Sequence, residues 1–116
     1  MDARELDEIL ASIAASGRPF EEVVRSHDLS VGVYVLAPGA TDLQTPHTED
    51  EVYYVIRGRG QIVVGQEDRA VGPGSIVFVA AEVPHRFRDI EEELVILVAF
   101  GPAEYTHRLS REPGAP

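Results

Sequence analysis

The chain has 116 residues, no cysteine, no tryptophan and twenty acidic against ten basic side chains, a formal charge of −10. That length allows one domain with a core held by packing alone; disulfides, cysteine zinc sites and thiol nucleophiles are excluded, and a charge of this sign gives no footprint for nucleic acid or an anionic membrane surface. No run of eighteen apolar residues occurs, and the start Met1-Asp2-Ala3-Arg4-Glu5 lacks the basic-then-apolar pattern of a secretion signal, so the expectation is a soluble, cytoplasmic globular protein.

Residues 1–17 carry Leu6, Ile9, Leu10, Ile13 and Ala14 at the three-and-four spacing that makes one apolar stripe. This predicts a short amphipathic helix packed on the outside of whatever follows. Asp2 is placed to cap it with Glu5 three residues on, as in a capping box, and Gly17 followed by Pro19 supplies the stop.

From Pro19 the apolar period changes to two, and glycine, proline and Asx punctuation recurs every eight to twelve residues. Strands are predicted at Phe20 to Arg25, Leu29 to Leu36, Glu51 to Arg57, Gly60 to Val64, Arg69 to Val71, Ser75 to Val79, His85 to Asp89 and Glu93 to Phe100. Arg57-Gly58-Arg59-Gly60 and Gly65-Gln66-Glu67-Asp68 read as hairpin turns, since glycine accepts the positive φ such loops need. Eight short strands suit an all-β fold, a double-sheet jelly-roll barrel over residues 18–110. Residues 111–116, with two prolines and a glycine, read as a disordered tail.

Against this pattern, His47, Glu49, Glu51 and His85 are the one plausible cluster of nitrogen and oxygen ligands near strand starts. Positions 47, 49, 51 and 53 share parity, so an extended chain points them to one face, unless a turn at Thr48-Glu49-Asp50 breaks the alternation. Spacing alone proves little, and each of His47 and His85 taken singly reads as a surface or satisfied core histidine before it reads as a ligand. Tyr53, Val55, Phe78 and Phe87 are expected on the same interior face. His27 and His107 read as surface histidines, and Arg57 and Arg59 as solvated or, alternatively, at a dimer interface.

Taken together, these residues resemble a known family. The stretch Pro46-His47-Thr48-Glu49-Asp50-Glu51-Val52-Tyr53-Tyr54-Val55-Ile56-Arg57-Gly58 resembles the first motif of the cupin superfamily: histidine, any residue, histidine, three or four residues, glutamate, six residues, glycine. His47 falls on the second histidine, Glu51 on the glutamate and Gly58 on the glycine, while Thr45 stands where the family has its first histidine. The stretch Gly74 to Asp89 follows the second motif and puts His85 on the family's metal histidine; Ala80, Glu82 and Asp89 replace that motif's proline, glycine and asparagine.

The resemblance implies a double-stranded β-helix whose interior holds one divalent ion, iron, manganese, nickel or zinc, on His47, Glu51 and His85, a 2-His-1-carboxylate set with open positions. Gln44, Thr45, Glu49 and Tyr53 are the candidates for a further ligand or an acid/base group, with Glu49 also read as a solvated loop carboxylate. No organic cofactor site is expected. The implied function is a small-molecule metalloenzyme, dioxygenase-like or isomerase-like, and a homodimer; the alternative is a non-catalytic binding or sensory module built on the same barrel.

Overall fold

A computed structural model of the chain describes residues 1–42 and 46–106. In chain order these form α1 (Leu6–Ser16), β1 (Phe20–Arg25), β2 (Ser30–Leu36), β3 (Asp50–Val64), β4 (Glu67–Val71), β5 (Ile76–Val79) and β6 (His85–Gly101). Every strand pairing is antiparallel, in the order β1-β2-β6-β3-β4, with β5 also paired to β3. No helix among the described residues is long and apolar enough to cross a membrane.

Six strands replace the eight expected, because two pairs of predicted strands are each one continuous strand. β3 runs through Arg57-Gly58-Arg59-Gly60, which bends the strand instead of reversing it, and β6 joins His85–Asp89 to Glu93–Phe100. The β3–β6 register shifts between Val55 and Arg57, between Arg57 and Arg59, and between Arg59 and Gln61. At Gly58, φ is 92°, and a Cβ placed there would lie 2.1 Å from the Glu93 carbonyl oxygen. Glycine is thus required by close backbone approach at a bulge, which kinks and twists the ladder. The bend lets the first half of β3 pair with β5 and the end of β6, and the second half with β4 and the start of β6. The paired long strands therefore fold over on themselves, which creates the jelly-roll interior. The β3–β4 hairpin turns at Gly65, with φ 60°, as its glycine suggests.

Inside lie Tyr34, Leu36, Tyr53, Val55, Ile62, Val71, Val79, Phe87, Ile90, Leu94, Ile96, Val98 and Phe100. Phe78 is not with them. The register Glu51↔Val79 puts the odd-numbered residues of β5 inward, so Phe78 faces solvent at 60% exposure. The parity expected from His85 fails because the loop between β5 and β6, where Glu82 has φ 67°, resets it.

α1 lies on the outer face of the sheet, where Ile9 and Ile13 pack with Val33 and Val95. Its cap is Glu5, not Asp2: the capping box is formed by Glu5 and Glu8, one turn later than expected. Both pairs have the same spacing, but Leu6 is the first apolar residue packed against the sheet. Ahead of the helix, Arg4 instead pairs with Glu21 of β1 at 2.8 Å. Gly17 closes the helix in the left-handed conformation, φ 73°.

Candidate metal centre

Three side chains from separate parts of the chain converge at one end of the interior. His47 lies three residues ahead of β3, Glu51 points inward from its start, and His85 opens β6. Two backbone clips hold the loop before β6 to the segment before β3: Glu82 N donates to the His47 carbonyl at 2.7 Å, and Ala81 N donates to Asp50 Oδ1 at 2.8 Å. These bring the two imidazoles to 5.5 Å between ring centroids. One ligand atom each from His47, Glu51 and His85 fall within 4.8 Å of one another, and all three residues are buried.

His85 Nε2 lies 2.7 Å from Glu51 Oε1, and His47 Nδ1 lies 3.3 Å from the same oxygen. His85 Nδ1 is 2.9 Å from the Val83 carbonyl oxygen, which can only accept, so the proton sits on Nδ1 and Nε2 is left for the site. His47 Nδ1, His85 Nε2 and both Glu51 oxygens are buried without a hydrogen bond of good geometry. Four buried polar atoms facing one another without a hydrogen bond are costly. A cation among them removes that cost, and two imidazoles with one carboxylate are a donor set suited to a first-row divalent ion. The residues fit such an ion.

The charges respond to this crowding. Burial pushes the His47 pKa down, but the carboxylates of Glu104 and Glu51 on either side of the ring outweigh it and raise the pKa to about 9. Burial likewise favours the neutral form of Glu51, yet the His47 and His85 rings against its carboxylate hold its pKa below the usual carboxylate range.

The remaining sequence candidates separate. Tyr53 is fully buried, its ring 6.0 Å from that of His85 and edge-on to Phe87 at 4.9 Å. Glu49 is not the solvated loop carboxylate expected of it. It is 2% exposed, accepts the Tyr105 N–H on Oε1 at 2.8 Å and the Thr48 hydroxyl on Oε2, and is outside the converging three. The bend at Thr48 and Glu49 breaks the parity with Glu51. Gln44 and Thr45 lie outside the described residues, as do His107 and the tail at 111–116.

Two further buried carboxylates carry no signal in the sequence. Asp42 accepts the Tyr34 hydroxyl at 2.6 Å and the Phe87 N–H at 2.8 Å, tying the segment after β2 to β6; desolvation, then the nearby Asp42 charge, raises the Tyr34 pKa. Glu104, in the turn after β6, is 1% exposed and brings Oε2 to 3.3 Å from His47 Nε2. Neither belongs to a motif, and only tertiary contacts reveal them. Beside His85, an open pocket of about 290 Å³ is bordered by Pro46, Val63, Gly65, Pro84 and Arg86.

The family model of the Cupin domain matches residues 32–101. The chain belongs to the cupin family, and its antiparallel jelly-roll fold is that of the class. It is 46% identical over 104 residues to SCO3923 of Streptomyces coelicolor, covering 90% of this chain and 99% of that protein. Among solved structures, TT1209 from Thermus thermophilus superposes with a TM-score of 0.69 at 24% identity, covering 89% of this chain and 99% of that one. The DMSP lyase DddQ from Ruegeria pomeroyi DSS-3 superposes with a TM-score of 0.64 at 23% identity, covering 73% of this chain and 42% of that larger one.

Proposed function

We propose that this protein is a mononuclear metal cupin in which His47, Glu51 and His85 hold one divalent ion, and that it acts as a small-molecule metalloenzyme of the cytoplasm. The observation that carries this reading is the convergence of the His47 and His85 imidazoles and the Glu51 carboxylate, all buried, with His47 Nδ1, His85 Nε2 and both carboxylate oxygens making no hydrogen bond. A bound ion supplies Lewis acidity and open coordination positions. The chain supplies the rest. Val83 fixes the His85 tautomer, the paired imidazoles keep Glu51 ionised, and the apolar walls of Phe87, Phe100 and Val98 exclude water. Tyr53 beside His85 is the candidate for moving a proton or orienting the small molecule. The pocket beside His85 is the proposed approach. The DMSP lyases among the structural neighbours agree with an enzymatic role for this fold, and their low identity carries no substrate across.

The test is metal content after chelator-free purification, followed by titration with manganese, iron, nickel and zinc. One ion per chain is expected; no uptake of any of the four by folded protein defeats the reading.

We also propose a homodimer. α1 covers one part of the outer sheet face, and the rest is bare: Val52, Tyr54, Ile76, Phe78 and Leu97 are exposed and, by register, adjacent on β3, β5 and β6. In a chain of charge −10 this uncharged apolar face is the place where a second copy meets no carboxylates.

A further inference from the structure

We propose that Arg86 is the specificity-determining residue for the small molecule this site takes, and that it selects a monocarboxylate with an apolar body; this deepens, and rests on, the metal reading above. The pocket of about 290 Å³ beside His85 is bordered by Pro46, Val63, Gly65, Pro84, His85 and Arg86. Pro46 immediately precedes His47 and Pro84 immediately precedes His85, so the pocket lies against the chain at both histidines of the site. Its volume is at the lower end of small-molecule sites. The chain carries twenty acidic side chains, yet among the described residues none borders this pocket, and Arg86 is its one permanent charge.

Arg86 is free because the sheet gives its nearest carboxylate to another arginine. Arg86 of β6 pairs with Val63 of β3, and Val63 pairs with Asp68 of β4, so one row across the outer face runs Arg86, Val63, Asp68. Asp68 is taken by Arg88, two residues further along the strand. Among the described residues Arg86 makes no ion pair and no side-chain hydrogen bond, whereas Arg4, Arg25, Arg57, Arg59 and Arg88 each face a carboxylate. An unpaired guanidinium presents a planar fork of donors that fits a carboxylate with two parallel hydrogen bonds. A dianionic phosphate needs further donors, and the border withholds them. Pro46 and Pro84 have no N–H, and the Gly65 N–H already donates to the Pro84 carbonyl at 2.8 Å. Pro46, Val63 and Pro84 offer apolar contact to the body of the molecule instead. Strand alternation turns His85 inward and Arg86 outward, so the carboxylate is held at the rim and the opposite end is left toward His85. A net charge of −10 repels anions from the surface at large, which leaves this carboxylate-free rim as the place where one settles.

The test uses the full chain, metal-free and zinc-loaded, with benzoate as the probe beside its neutral amide, benzamide, and a phosphate ester, phenyl phosphate. Calorimetric titration is expected to show benzoate binding to both forms and benzamide binding more weakly. Arg86→Gln is expected to weaken benzoate about 10–100-fold, the worth of a hydrogen bond to a charged group. Arg86→Lys, which keeps the charge and loses the fork, is expected to fall between. Arg86 is exposed, so neither substitution opens the core. No benzoate binding to wild type, equal benzoate affinity in wild type and Arg86→Gln, or benzamide bound as tightly as benzoate each overturns the inference. Phenyl phosphate bound more tightly than benzoate overturns the choice of a carboxylate. Absence of zinc uptake by wild type defeats the metal reading, and the metal-free titrations then decide the anion site by themselves.

Discussion

His85 Nε2 and Glu51 Oε1 stand 2.7 Å apart, both buried, with the only proton of the neutral His85 ring committed to the Val83 carbonyl. A lone pair facing a carboxylate at that distance is repulsive unless a cation or an added proton intervenes. Ligand-free protein is therefore expected to be destabilised locally, and zinc or manganese to raise its melting temperature. A ligand at a hundred times its Kd contributes about 2.7 kcal/mol, or roughly 10 °C for a domain of this size. Thermal scans with and without chelator measure the shift, and His85→Ala is expected to abolish it.

Acid should reverse the same binding. Ligating histidines must be neutral, so protons compete with the ion, and the His47 pKa of about 9 puts the onset of competition above the ordinary histidine value of 6.5. Metal affinity is expected to fall steadily as pH drops through about 9, where the His47 ring takes up its proton. Titrations at pH values of about 9.5, 7.5 and 5.5 check the order; an affinity that is flat across them contradicts it.

A second pH effect belongs to the helix. Glu21 of β1 accepts the Ser12 hydroxyl of α1 at 2.6 Å and pairs with Arg4 at 2.8 Å, and these two hold its pKa below the ordinary carboxylate value of 4.5. A depressed carboxylate contributes stability above its unfolded pKa and loses it as pH falls through the folded one. Glu21→Gln is expected to lower the melting temperature by a few degrees near neutral pH, with the difference from wild type closing below about pH 4. Hydrogen exchange in α1 should show the same convergence.

Gly58 tests the fold. A Cβ there would stand 2.1 Å from the Glu93 carbonyl oxygen and 2.6 Å from its carbon, and backbone atoms cannot swing aside as a side-chain tip can. With φ at 92° as well, Gly58→Ala is expected to lose more than about 2 kcal/mol, roughly 10 °C or more in melting temperature. A wild-type melting curve for this variant would mean that the β3 bend is not built on that contact.

The bare sheet face gives an oligomeric prediction. Phe78 and Ile76 are 60% and 70% exposed and touch no part of the interior site. Light scattering of wild type is expected to give twice the 12.7 kDa chain mass, and the double change Ile76→Glu, Phe78→Glu to give the single mass with metal content unaltered. A monomeric wild type at micromolar concentration rejects the dimer.

Much of this architecture is legible in the chain because local chemistry and tertiary packing agree. β1 begins and ends at Phe20 and Arg25 as the alternation indicates, α1 stops at Gly17, and the motif resemblance singles out His47, Glu51 and His85, of which the fold brings one ligand atom each within 4.8 Å of one another. What is not legible depends on contacts distant in sequence. Glycine at 58 signals positive φ equally for a hairpin and for a bulge, and only the Glu93 carbonyl decides between them. Phe78 cannot be oriented across a loop that resets parity. Glu49 reads as a solvated loop carboxylate, and nothing in the sequence marks Glu104, until the turn after β6 brings Tyr105 to the one and Glu104 to His47.

Whether the site performs chemistry turns on Glu51. Of the three converging residues it alone brings a negative charge, so Glu51→Gln keeps nearly the same shape while changing the charge, and hence the Lewis acidity, of a bound ion. In an enzyme, that change is expected to cut turnover by orders of magnitude more than it weakens substrate binding, because the interaction it removes is strongest where charge develops in the transition state. In a binding module there is no such state to lose, and the same substitution changes only ligand affinity, through weaker metal retention. A screen of small organic acids, sugars and phenols on metal-loaded protein, under air and under nitrogen, supplies the substrate for the comparison. Product from wild type with a collapse of kcat and a near-constant KM in Glu51→Gln is the expected result. Recovery of every tightly bound compound unchanged under both atmospheres assigns the barrel to binding instead.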